Sequence, residues 1–254
     1  MRIKYLITTP AVDHSAVRTA QLPPGLLGPN VEVEFVHVRN ATTVLDSYYE
    51  GYIFEMYIVE AGLRTEEEGF DALIMDTASD SGLYPLRSRL TIPVLGPGIV
   101  AYCVAMMLGK RFSIVTMWDR WVHLHEKNLD TYHLWEKCAS IRHIGIRPDM
   151  QELLSGKEEH VAERVVAEAR RAIDEDGADA IILGSTTMHQ TAPIVSRELS
   201  VPVINPGPVA VKITEALLEL GLSHSKTAFP SPEVIQDAKF FSLIGADGRT
   251  RETP

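Results

Sequence analysis

Gly177-Ala178-Asp179-Ala180-Ile181-Ile182-Leu183-Gly184-Ser185 aligns without gaps on Gly69-Phe70-Asp71-Ala72-Leu73-Ile74-Met75-Asp76-Thr77. Each segment runs from a glycine stop through a short apolar run to a hydroxyl residue. An apolar run of this length between turn signals reads as a strand buried on both faces. The stretch Gly184-Ser185-Thr186-Thr187-Met188 then leads into a helix-like segment. In open α/β sheets, strand ends that open onto helices are where ligands bind. The repeat therefore puts Thr77 and Ser185 at equivalent ends of equivalent strands.

The repeat extends further. Ile92-Pro93-Val94-Leu95-Gly96-Pro97-Gly98 has its counterpart in Val201-Pro202-Val203-Ile204-Asn205-Pro206-Gly207, and the strand-like run 112–115, ending at Thr116, corresponds to 5–7, ending at Thr8. Periodicity predicts helices over 48–68, 83–89, 99–108, 117–134, 158–176 and 208–220, with Gly69, Gly177 and Gly221 as stops. Tyr52, Met56, Val59 and Leu63 form the expected apolar face of the first helix. Residues 31–38 alternate Val31, Val33 and Phe35 with Glu32 and Glu34, the pattern of a strand towards a sheet edge, and another strand is expected near 141–146.

Strands alternating with helices imply a mostly parallel sheet in each half. The expected fold is α/β, with two pseudo-symmetric lobes and a ligand cleft between them where Thr8, Thr77, Thr116 and Ser185 converge. Lobe 1 is expected to hold 1–98 with about 206–226, and lobe 2 to hold 99–205. The polar, proline-containing stretch 227–254 reads as a partly ordered C-terminal tail.

With 254 residues and 45% apolar content, the chain can bury a large core unaided. A formal charge of -10 without a run of Lys or Arg argues against nucleic acid or an anionic membrane as partner and favours a small molecule. The longest apolar run, 99–108, is about half of a bilayer span. With two cysteines and no signal-like start, the expected setting is the cytoplasm, without disulfides. Apolar faces around Tyr52, Met56 or 99–107 would serve a homo-oligomer or the monomer's own core equally well.

Five stretches, Asp80-Ser81-Gly82-Leu83-Tyr84, Arg111-Phe112-Ser113-Ile114-Val115-Thr116, Arg171-Ala172-Ile173-Asp174-Glu175-Asp176-Gly177, Ile181-Ile182-Leu183-Gly184 and Gly221-Leu222-Ser223-His224-Ser225-Lys226, carry a family resemblance. Over residues 1 to about 226 the chain resembles the aspartate/glutamate racemase superfamily, most closely its hydantoin racemase branch. The resemblance implies a two-lobed fold holding a small anionic or cyclic-amide substrate between the lobes. It also implies two cysteines, one per lobe, that flank the stereocentre; one removes a proton and the other returns one on the opposite face. Here Thr77 stands at the first cysteine position and Ser185 at the second. A free thiol has a pKa near ~8.5 and an aliphatic alcohol lies several units higher, so unaided hydroxyls are poor bases. Cys103, in an apolar run, and Cys138, beside a polar connection, are not at strand ends equivalent to these.

Other side chains are then candidates for the chemistry. Asp76 reads either as a general base poised by partial burial or as a structural cap. Asp80 reads as the cap of the helix beginning near Gly82 or as a substrate-binding residue of the same loop. Ser185 is a nucleophile if His189, four residues on, takes its proton; otherwise Ser185, Thr186 and Thr187 anchor a carboxylate or amide oxygen. Thr8 and Thr9 take the matching place in the first loop, and Pro206 and Gly207 line the cleft or simply make its turn. Trp118 and Trp121 are core or ring-binding residues. His123 and His125 are two apart and diverge on a helix, so they do not form the i, i+4 pair of a zinc site, and no metal or other cofactor is expected. Three functions stand: a racemase-superfamily enzyme working without thiols on a small carboxylate or hydantoin-like ring, a hydrolase or lyase using Asp76 or Ser185, and a ligand-binding protein without catalysis.

Overall fold

The computed structural model describes residues 1–10, 15–42, 44–148 and 158–245. The connection at Gly156 and the end of the expected tail, 246–254, lie outside the described residues. The first half runs β1 (Arg2–Ile7), α1 (Ser15–Thr19), β2 (Glu32–His37), α2 (Tyr48–Gly62), β3 (Ala72–Met75), α3 (Leu83–Arg89), β4 (Val94–Leu95) and α4 (Pro97–Leu108). The second runs β5 (Phe112–Thr116), α5 (Val122–Tyr132), β6 (Cys138–His143), α6 (Glu158–Asp174), β7 (Ala180–Leu183), α7 (Ala192–Glu198), β8 (Val203–Ile204) and α8 (Pro206–Glu219), followed by α9 (Asp237–Leu243).

The strands form two sheets of equivalent order, β2-β1-β3-β4 and β6-β5-β7-β8, with every pairing parallel. The fold is thus α/β with two lobes. In each sheet the winding reverses beside the first strand, between β1 and β3 or between β5 and β7, and such switch points open a crevice at the strand ends. The period of two along each strand decides what packs where. Ile3, Tyr5, Ile7, Ala72 and Ile74 face Val100 of α4 and Ala210 and Val211 of α8. Leu6, Leu73 and Met75 face Phe54 and Ile58 of α2 and Leu83 and Leu86 of α3. In the second sheet, Phe112, Ile114, Ala180 and Ile182 meet Ala101, Tyr102 and Ala105 of α4, so α4 packs on both sheets. The strand starts are tied alike: Asp71 accepts from the Arg2 backbone N–H (2.7 Å), and Asp179 from that of Lys110 (2.8 Å).

Several elements differ from their sequence expectation. The buried face of α2 is Phe54, Ile58 and Gly62; of the expected face, Leu63 is buried and Val59 packs against the same cluster, whereas Tyr52 is 74% exposed and Met56 40%. The reason is Gly62: a Cβ there would lie 2.6 Å from a Leu86 methyl, so its bare side is the one that can approach α3. That helix stops at Gly62, and Gly69, at φ +78°, belongs to the turn that follows. A 3-10 turn, Asp119–Trp121, precedes α5, and β6 lies a few residues earlier than expected. Part of the expected tail folds back: Phe241 of α9 is buried among lobe 1 side chains under the Arg64 guanidinium, and Asp237 pairs with Arg89 (2.7 Å).

Asp80 caps a different helix from the one expected. Its carboxylate accepts from the backbone N–H groups of Gly98 (2.8 Å) and Ile99 (2.7 Å), at the start of α4, and from the Tyr132 hydroxyl (2.8 Å). A Cβ on Gly96 or Gly98 would strike this carboxylate at 2.1 or 2.7 Å, which accounts for both glycines of the Gly-Pro-Gly turn.

Burial raises the Asp80 pKa from its ordinary 3.8 to about 6, against the lowering effect of its three donors. Its stabilising contribution is therefore complete below pH ~3.8 and is lost as pH rises through about 6. Urea denaturation of the wild type and Asp80→Asn at pH 4.5 and 7.5 checks this. The stability difference in favour of the wild type is expected to be larger at pH 4.5 by on the order of 2 kcal/mol.

Candidate active site

A cavity of about 140 Å³ opens at the two switch points, bordered by Thr8 and Thr9 after β1, Asp76, Thr77 and Ser79 after β3, and Gly184, Ser185, Thr186 and Thr187 after β7. Thr77 and Ser185 thus border one cavity, and each is the start of a hydroxyl pair. Thr77 Oγ1 lies 2.7 Å from Ser79 Oγ and accepts the Ser79 backbone N–H at 3.4 Å. Ser185 Oγ lies 2.7 Å from Thr187 Oγ1 and accepts the Thr187 N–H at 3.2 Å. Both are short side-chain-to-backbone turns of the kind Ser and Thr favour after a strand. In the first loop the chain continues, with Ser79 Oγ 2.8 Å from Ser81 Oγ.

Asp76 is fully buried, where the sequence reading expected partial burial. Its Oδ2 forms an ion pair with Nη2 of Arg18, and the Tyr5 hydroxyl lies 3.0 Å from its Oδ1. Gln21 Nε2 donates to the Arg18 carbonyl (2.8 Å) and lies 3.4 Å from Asp76 Oδ2. Asp76 is therefore not a helix cap but the counter-charge of a buried arginine. Burial, and then the Asp76 charge, push the Tyr5 hydroxyl well above the usual tyrosine range, so it keeps its proton. The Arg18 side chain borders the cavity, and Nη2 also donates to Thr186 Oγ1 of the other lobe (3.0 Å).

His125, expected in the sequence only as a metal candidate, borders the cavity and links the two loops. Its Nε2 is 3.0 Å from the Gly184 carbonyl and its Nδ1 is 3.3 Å from the Tyr102 hydroxyl. Asn128 Nδ2 lies 3.4 Å from the same hydroxyl and donates to the Ala78 carbonyl (3.0 Å). The carbonyls beside Thr77 and Ser185 are thereby held by one buried polar chain. Gly184 must be glycine here, since a Cβ would sit 3.0 Å from His125 Nε2 and 2.7 Å from Thr116 Cβ.

Other expected site residues lie elsewhere. Thr116 is fully buried under Gly184, and its hydroxyl has no partner among the described residues. His189 sits in the 3-10 turn Thr186–Thr191 with Nδ1 3.1 Å from the Thr186 carbonyl; its Nε2 is unpartnered, and no hydrogen bond joins it to Ser185 among the described residues. The turn geometry separates the two: in a 3-10 turn the His189 ring bonds back three residues instead of four. Pro206 and Gly207 are buried at the start of α8, where the bare Gly207 backbone admits Gln21 and Tyr5. Asp80, Thr116, His189, Pro206 and Gly207 are not among the residues bordering the cavity. His123 is bound to the Arg120 carbonyl (2.6 Å), and among the described residues no three His, Cys, Asp or Glu side chains are grouped to hold a metal.

Arg18 and Gln21 were missed because the connection before α1 separates them from any motif. The available signal was Asp76 itself, an acid at the end of an all-apolar strand that requires a buried counter-charge.

The model of the Asp/Glu/Hydantoin racemase family matches residues 13–214. The chain belongs to that family. It is 30% identical over 223 residues to a hydantoin racemase from Pseudomonas sp. (strain NS671), covering 87% of this chain and 85% of the relative. A hydantoin racemase from Rhizobium meliloti is 35% identical over 162 residues, 63% of this chain and 66% of the relative. Among solved structures, allantoin racemase from Klebsiella pneumoniae matches with a TM-score of 0.82 at 29% identity, covering 93% of this chain and 96% of that one. Among the described residues no helix is long and apolar enough to cross a membrane.

Burial lowers the His125 pKa from its ordinary 6.5 to about 4. The ring is then neutral at pH 7, donating from Nε2 to Gly184 and accepting at Nδ1 from Tyr102, a tautomer assigned from its partners. An NMR titration of the histidine Cε1–H signals is expected to leave His125 neutral down to about pH 4. A midpoint near 6.5 would mean a solvated ring that holds neither loop.

Proposed function

We propose that this racemase-family chain is an enzyme acting on a small carboxylate or hydantoin-like cyclic amide bound between its lobes, and that its chemistry uses no thiol. The observation that carries this reading is that Thr77 and Ser185, at equivalent strand ends, border one cavity of about 140 Å³. Each belongs to a hydroxyl pair, and together they occupy the positions where the family resemblance calls for cysteine. The hydroxyl pairs and Arg18 bind and polarise the substrate's oxygens. Asp76 orients Arg18 and does not itself remove a proton, since its oxygens already face Arg18, Tyr5 and Gln21.

These groups serve a step that needs polarisation and placement more than a strong base. Preorganised O–H and N–H donors stabilise charge developing on a carbonyl or carboxylate oxygen, and removing one such donor typically costs ~100-fold or more in rate. Cleavage or ring opening fits them better than abstraction of a proton from carbon. A second reading, binding without turnover, is favoured by one observation: both hydroxyl pairs and the Asp76 carboxylate are already bonded within the protein.

Incubation with hydantoins, aspartate, glutamate, maleate and arylmalonate in deuterated water separates these readings. The enzyme reading expects ring opening, gas release or deuterium uptake with at least one substrate, falling ~100-fold or more in Arg18→Met. Saturable binding with none of these outcomes leaves only the binding protein. The double substitution Thr77→Cys/Ser185→Cys is expected to bring in deuterium exchange at the hydantoin stereocentre that the wild type lacks. Strong exchange by the wild type, lost in Thr77→Val, would show that hydroxyls suffice as bases.

A further inference from the structure

A second cavity, of about 320 Å³, lies between α3, β4, α8 and the connection that follows α8, and it shares no bordering residue with the cleft. That size falls within the ~300–1,000 Å³ of small-molecule pockets. The stretch Gly221–Lys226, which carries part of the family resemblance and has no place in the cleft, supplies one wall through Ser223, His224 and Ser225. The Lys226 ammonium donates to the carbonyls of Arg87 (2.8 Å), Ser88 (2.7 Å) and Leu90 (3.0 Å), pinning this connection to the end of α3. Ser223 Oγ donates to the Thr91 carbonyl (2.7 Å). The carbonyls at that helix end are therefore already taken.

Arg87 is the charge left over. Its Nε donates to the Val94 carbonyl (2.9 Å), and its Cζ lies 5.1 Å from the centre of the Phe229 ring, so the guanidinium is oriented from two sides. Among the described residues no carboxylate pairs with it, and its two Nη groups have no hydrogen-bond partner. Asp80 acts on it only through space, its oxygens being held by Gly98, Ile99 and Tyr132. Burial lowers the Arg87 pKa, as it must for a cation drawn out of water without a counter-charge. Ser225 adds a donor: its Oγ accepts the N–H groups of Thr227 (3.2 Å) and Ala228 (3.3 Å), and its own proton has no acceptor among the described residues. Pro93, Leu95 and Leu217 make the rest of the lining apolar.

We propose that this cavity is a second ligand site, for a small organic carboxylate whose oxygens meet the Nη groups of Arg87 and the Ser225 hydroxyl while its apolar body lies against Phe229, Leu95 and Leu217. A guanidinium offers a carboxylate two parallel N–H donors, and the apolar lining favours an organic acid over a bare anion. The proposal is independent of the function proposed for the cleft.

The test is a titration of the ¹⁵N-labelled full chain with sodium benzoate, followed through the Arg87 Nε–H signal and the backbone amides of 223–229. Saturable shifts are expected there, with a Kd that Arg18→Met leaves within about twofold and Arg87→Gln weakens about tenfold or more. Benzamide, which lacks the charge, and inorganic phosphate, which lacks the apolar body, are each expected to bind about tenfold or more weakly on the wild type. Both comparisons stand even if Arg87→Gln does not fold. The proposal is overturned if these signals do not saturate below about 10 mM benzoate, if benzamide or phosphate binds as well, or if a folded Arg87→Gln binds unchanged. Loss of the same shifts in Arg18→Met overturns it too, since that places the benzoate in the cleft. No turnover enters the measurement, so an inactive cleft leaves this site standing, and an empty second site leaves the cleft reading untouched.

Discussion

The separation between the two hydroxyl-bearing loops is the constraint on which the cleft depends, and a buried polar chain sets it. From the Ala78 carbonyl through Asn128, Tyr102 and His125 to the Gly184 carbonyl, every link is shielded from water. A second tie runs on the cavity side from Asp76 through Arg18 to Thr186. Backbone carbonyls at the ends of parallel strands have lost their ladder partners, and leaving them buried and unpaired costs about 1–3 kcal/mol each. The same hydrogen bonds that satisfy these carbonyls also fix Thr77 relative to Ser185. Fold and site are coupled for this reason: α4 and α5 complete the polar accounting of two strand ends and in doing so clamp the walls of the cleft.

The buried ion pair is less a source of stability than a means of orientation. Desolvating two charges costs several kcal/mol per ion, and even a well-made buried pair does no better than roughly break even. What Arg18–Asp76 supplies is a guanidinium whose direction is fixed by Asp76 and Thr186 before any ligand arrives. Asp80 and His125, also buried, pull stability in opposite directions with pH. Asp80, its pKa raised, loses its contribution as pH rises through about 6, while His125, its pKa lowered, loses its contribution as pH falls through about 4. Across the window between, the two partly cancel, and a flat stability profile there does not imply that nothing titrates.

The sequence made the sheets legible because β3 and β7 are buried on both faces and read as uninterrupted apolar runs, while Lys4 in β1 and Ser113 in β5 are the single polar breaks in the runs 3–7 and 112–115. The face of α2 was legible only in part: Val59 and Leu63 do pack on the core, but Tyr52 and Met56 are exposed where Phe54 and Ile58 are buried, and the close approach allowed by Gly62 decides between them. Asp80 was legible as a cap but not as the cap of α4, since its true partners lie eighteen and nineteen residues on, at Gly98 and Ile99. The strand-end residues Thr8, Asp76, Thr77 and Ser185 could be named because a repeat aligns them. Arg18, Leu45, Phe54 and His125 could not, because they reach the cavity from helices and connections that the repeat does not carry.

A hydroxyl where the family resemblance calls for a thiol differs in reactivity far more than in shape. A hydroxyl fits where a thiol fits, makes shorter and stronger hydrogen bonds, and closes a turn with the N–H two residues on, as both loops do here. Those bonds make the loops more rigid, and they also fill the lone pairs that a base would need. On the function proposed for it, a cleft with two lobes, hydroxyl and guanidinium donors and an apolar lining has the means to bind and polarise a substrate. Among the described residues that border the cavity, the carboxylate and the hydroxyl pairs already hold partners inside the protein, which favours steps driven by the substrate's own bonds over abstraction of a proton from carbon.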